Sequence, residues 1–154
     1  MSAKVVESPS PNHGRRMSRP LQCIVLHADA SPDELGTLEW CAASVSEVSY
    51  HVLIGRNGVR YRMVPDTRRA WACGRSNWQG KSDVNSISLS LAFANRNDGL
   101  EPLTAAQIEA ARVQIHEWRT AYPSIIDITT HHRIAPSRKS DPERAPNFAL
   151  SLFQ

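Results

Sequence analysis

The first well-defined apolar run, LQCIVLHA (21–28), is rich in β-branched residues, which predicts a strand buried on both faces; it ends at a histidine. SPDELGTLEWCAA opens with Ser31 ahead of an acidic first turn, a helix start that Gly36 weakens. In VSYHVLIGRNGVRYRMV two strand-like runs flank Asn57-Gly58, a pair suited to a tight hairpin because both residues tolerate positive φ. SISLSLAFA (86–94) alternates small polar with apolar residues at period two and predicts another strand. The surest helix lies in LTAAQIEAARVQIHEWRTAY, where Thr104 and Gln107 form a capping box and Ile108, Ala111, Ile115 and Trp118 line one face. IIDITT supplies the last strand. The mixed order of strands and helices predicts an α/β or α+β domain around one sheet.

At 154 residues the chain fits one domain, with a core that removes about 68–70% of the unfolded surface from water. The Pro/Ser-rich stretch 1–20 reads as an arm wrapped on the domain formed by 21–154. No run approaches about 18 apolar residues, so no membrane span is expected. The N-terminus has no apolar stretch like that of a secretory signal, which leads us to expect cytoplasmic synthesis. A net charge of +3 tolerates an anionic partner, but the basic residues are dispersed, and nucleic acid is not expected. Cys23, Cys41 and Cys73, an odd set without C-x-x-C spacing, predict reduced thiols rather than a disulfide framework.

The chemistry concentrates in THHRIAPSRKSDP (130–142), two histidines, a lysine and an aspartate between stiffening prolines. His27 and His131 both sit at strand ends, where α/β folds gather reactive side chains. With Asp141 they would make a three-ligand zinc site with an open fourth position. A surface or satisfied core histidine is the competing reading, and spacing alone does not choose between them.

HHRIAPSRKSDP resembles the GH-x-x-IAP-x-RK-x-DPG signature of the zinc-dependent N-acetylmuramoyl-L-alanine amidases, and IVLHADA resembles the strand that carries their first ligand. SPNHGRR, SYHVLIGRNGVRYRMVP and RAWACGRSNWQG…NSIS are similar to further family segments in the same order, so the resemblance covers roughly residues 8–145. It implies an α/β single domain with a central mixed sheet flanked by helices, Zn²⁺ held by His27, His131 and Asp141, and hydrolysis of the bond between N-acetylmuramic acid and L-alanine in peptidoglycan or anhydro-muropeptides. Two positions depart from the pattern: Ser90 stands where the recycling amidases carry a glutamate, and Ala72-Cys73 where AWHAG has its histidine. Phage lysozyme-type members lack that glutamate and use a tyrosine and a lysine, which match Tyr50 and Lys139. This pairing leans towards a phage lysis (endolysin) enzyme, the SPNHGRR arm towards recycling.

The second reading is a non-catalytic muropeptide-binding or regulatory module on the same fold. A monomer is expected. His51, Cys73, Arg56, Arg75 and Arg138 have ordinary structural or surface readings. His132 is expected either at the rim or as a partner that supports a ligand from behind, and Trp71 and Trp78 are equally compatible with core and with a sugar-stacking wall.

Overall fold

The structure, a computed structural model, describes residues 4–17 and 19–154; residues 1–3 and 18 of the N-terminal arm lie outside the described residues. Six strands form one sheet in the order β1(Val5–Glu7)-β5(Arg60–Arg62)-β4(Val52–Ile54)-β7(Ser88–Phe93)-β3(Cys23–Ala28)-β8(Asp127–Thr130). All neighbours are parallel except β4 and β5, the two arms of the hairpin. At its turn Gly58 has φ +85° while Asn57 does not enter the left-handed region, and a side chain at 58 would meet Ala106 O at 2.9 Å. The remaining elements are a ribbon of β2(His13–Arg15) on β6(Arg68–Ala70) and helices α1(Glu34–Ala42), α2(Ala105–Ala121) and α3(His131–Ile134).

The period-two pattern of β7 sorts the sheet into two unlike faces. Leu89, Leu91 and Phe93 join Ile24 and Leu26 beneath Ala111, Ile115 and Trp118 of α2; burying each large side chain there contributes about 1.5–3 kcal/mol. Thr104 and Gln107 cap α2 reciprocally. The opposite face carries smaller residues, Ser88, Ser90 and Ala92 on β7 and Cys23 and Val25 on β3, and is covered by loops and α1. Both faces are buried, so the strand is central rather than half-exposed as simple alternation suggests.

α1 begins at Asp33, whose side chain accepts from Leu35 N, rather than at Ser31. The arm contributes the edge strand β1 and the ribbon strand β2. Buried Asn12 places its amide nitrogen 3.0–3.2 Å from Cys41 O, Ala43 O and Val48 O, clamping the connection that leads to Tyr50. Arg16 donates to the carbonyls of Asp66, Asn85 and Ser88 and ties the arm to the start of β7.

Candidate metal centre

Three predicted site residues meet over the small-residue face. His27 comes from β3, His131 from the first position of α3, and Asp141 from the loop after it. Their ligand-capable atoms lie within 4.8 Å of one another, and all three residues are buried. Thr130 caps the short helix through Arg133 N, turning the chain so that His131 faces inward. The helix stops ahead of Ala135-Pro136, as the residue before a proline is driven out of the α region.

The hydrogen bonds reveal which atoms are offered. His131 Nε2 lies 2.9 Å from Cys73 O, an acceptor, so this nitrogen carries the proton and Nδ1 presents its lone pair. His27 Nε2 meets Ser90 Oγ at 3.1 Å, leaving its Nδ1 3.2 Å from His131 Nδ1. Asp141 Oδ2 is 3.3 Å from His131 Nδ1 and 3.9 Å from His27 Nδ1, and it accepts from Ala28 N–H at 3.0 Å. Burial, then the neighbouring imidazole, pushes the His27 pKa well below the usual histidine range. Burial alone would raise the Asp141 carboxyl; the His131 contact, the two imidazoles and the Ala28 N–H outweigh it and hold Asp141 below its ordinary value. Two imidazole nitrogens and a carboxylate, converging from buried residues, make a donor set that fits a divalent cation such as zinc.

Tyr50 and Lys139 both line the cavity of about 490 Å³ at this centre. The Tyr50 ring is 5.4 Å from that of His27, and burial pushes its phenol well above the usual tyrosine range. Arg138 lines the same cavity and donates through Nη2 to Cys73 O and Arg75 O, both at 2.8 Å. Arg56 is instead engaged with Glu101 and Glu34. Trp71 walls the cavity, whereas Trp78 is buried, with Nε1 on Asp127. His132 Nδ1 holds Lys139 O at 2.8 Å, bracing the loop that carries Asp141, the supporting one of its two expected places. Cys73 is fully buried, its Sγ 3.9 Å from Ser90 Oγ.

Spacing did not disclose the role of Ser90. Its Oγ abuts the far nitrogen of His27, and its backbone N–H donates to His51 Nδ1. His51 is thus a buried, bonded histidine, with Nε2 on Arg68 O at 2.9 Å. Burial, then the Arg16 charge, lowers its pKa from 6.5 to about 3. The unfolded chain therefore binds a proton that the fold refuses between these values. Stability is expected to fall as pH drops through 6.5, by about 1.4 kcal/mol per unit from this group, or about 2 kcal/mol by pH 5. Urea unfolding from pH 7.5 to 5 should show at least that slope, since buried His27 adds to it with the same sign, and His51→Gln should reduce it by the His51 share.

A parallel-centred sheet thus carries α2 on one face and, on the other, a buried His/His/Asp cluster that could hold a metal ion. The sequence model for N-acetylmuramoyl-L-alanine amidase matches residues 17–144, and the chain belongs to that family. The 1,6-anhydro-N-acetylmuramyl-L-alanine amidase AmpD of Salmonella typhimurium (strain SL1344) is 38% identical over 110 residues, covering 70% of this chain. The chain spans only 56% of that relative's own length. AmpD of Enterobacter cloacae is 31% identical over 94% of this chain and 86% of its own. A crystal structure of a Se-Met AmpD derivative superposes with a TM-score of 0.77 at 28% identity, covering 99% of this chain and 92% of that one.

Proposed function

We propose that this protein is a zinc-dependent amidase that hydrolyses the bond between the lactyl carbonyl of N-acetylmuramic acid and the nitrogen of L-alanine. The convergence of the two Nδ1 atoms and the Asp141 carboxylate carries this reading. The names of the AmpD relatives support a soluble anhydro-muropeptide as substrate. His27, His131 and Asp141 would hold the metal. Bound there, zinc supplies a water acidic enough to ionise near neutral pH and a Lewis-acid contact for the carbonyl oxygen. Lys139 lines the cavity and in this reading donates to the oxygen that becomes negative during attack. Tyr50 orients the attacking water. The water oxygen joins the carbonyl carbon, a proton from that water passes to the L-alanine nitrogen, and the C–N bond breaks to release a carboxylic acid and a free amine.

Ser90 takes part through His27 and not through substrate. With its hydroxyl on Nε2, the imidazole is held with Nδ1 towards the metal. Ser90→Ala is expected to weaken zinc binding about 10- to 100-fold, as measured by competition with a fluorescent chelator, and Ser90→Thr to restore most of it.

Ser90 at the glutamate position, together with Tyr50 and Lys139, also favours a second reading, a lysis enzyme acting on intact wall. Incubation with soluble anhydro-muropeptide and, separately, with purified sacculi tests both by mass spectrometry. Free stem peptide starting at L-alanine is expected from the soluble substrate. Cleavage of sacculi alone would favour lysis, and zinc binding without cleavage of either would point to a muropeptide-binding module.

A further inference from the structure

A second groove of about 520 Å³ adjoins the metal pocket and shares Asp29, Val48, Tyr50 and Lys139 with it. The two halves differ in charge. Beyond the shared wall, the metal-pocket half carries Arg138 and Glu47, with Trp71 beside them. The other half, flanked by α1, is lined by Ser31, Gly36, Thr37, Trp40 and the buried thiol of Cys41, and adds no charged side chain. Trp40 stands 55% exposed on this wall, which leaves its ring open to a ligand in the groove. Gly36, one turn before it, has no side chain to narrow the groove beneath the ring.

We propose that the α1 half-groove is the subsite for the N-acetylmuramyl ring, with the Trp40 indole as its platform. The inference rests on the amidase reading for what lies at the metal. Hydrolysis there requires the scissile amide beside Tyr50 and Lys139, two of the four residues common to both halves. The two arms of the substrate then run in opposite directions. The sugar arm is uncharged, since its only carboxyl is consumed in the amide; the stem peptide carries free carboxylates. A half that adds no charge beyond the shared Asp29 and Lys139 and carries an exposed aromatic face suits the former, because the C–H face of a pyranose packs on an indole while its hydroxyls and acetamido group reach Ser31 and Thr37. The half bearing Arg138 suits the latter, since a guanidinium pairs with carboxylates.

The test compares two substrates with the same scissile bond: an N-acetylmuramyl peptide, and the same peptide carrying only a D-lactoyl group. For zinc-loaded Trp40→Ala, kcat/KM for the muramyl substrate relative to the lactoyl substrate should fall about three- to tenfold, carried by KM. Trp40→Phe should recover most of the ratio. An unchanged ratio, with the wild type cleaving both, would overturn the subsite while leaving the amidase reading intact. A binding measurement independent of catalysis separates the two claims further. Titration with N-acetylmuramic acid amide should shift the Trp40 indole N–H resonance and not that of Trp71. A shift confined to Trp71 would overturn the assignment; a Trp40 shift in a protein that cleaves neither substrate would retain the subsite and remove the amidase.

Discussion

His131→Ala is expected to eliminate stoichiometric zinc and to reduce amide hydrolysis by at least about a thousandfold, the loss that accompanies several kcal/mol of transition-state stabilisation. The substitution removes one of two facing Nδ1 atoms and leaves His27 and Asp141 as an incomplete donor set. The fold should survive it. Cys73 O loses the imidazole donor but keeps Arg138 Nη2 at 2.8 Å, and Asp141 keeps Ala28 N–H. Circular dichroism should therefore be unchanged while metal content, read by atomic emission, falls to background. Retained zinc at one equivalent with full turnover would remove His131 from the centre.

Lys139→Met should separate chemistry from metal binding. The lysine lines the cavity without being one of the converging donors, and methionine keeps much of its apolar length. Loss of a donor to the developing oxyanion costs about 10²–10³ in turnover. Zinc content should stay at one equivalent, and kcat should fall with little change in KM, since the contact forms in the transition state rather than with bound substrate. Unchanged kcat would assign Lys139 to the wall alone. The neighbouring His132–Lys139 O bond uses the backbone and so persists in the variant.

Much of this arrangement was legible in the chain because local rules and long-range geometry agree. The apolar run ending at His27 is the central strand β3, and the capping box at Thr104 begins α2. The family signature placed His131, Lys139 and Asp141 on one stiff loop, where the metal-capable cluster and cavity wall now lie. Alternation in SISLSLAFA separated two faces without revealing what covers each. Only the packing of α2 on Leu89, Leu91 and Phe93 leaves Ser90 beside His27. The three residues of β1 carry too little pattern to predict an edge strand, and the Asn12 clamp joins residues 29 to 36 positions apart. Ser31 and Asp33 are both competent caps in sequence; the helix uses Asp33 because Ser31 instead bonds within the preceding turn.

The central claim is that His27, His131 and Asp141 bind the zinc on which hydrolysis depends. Its most direct test is a calorimetric titration of metal-stripped protein with Zn²⁺, with turnover of an anhydro-muropeptide followed in the same samples. One equivalent should bind and restore activity in proportion to occupancy, and neither response should occur in His131→Ala. Full turnover by the stripped protein, or tight zinc binding that persists in His131→Ala, would contradict the account.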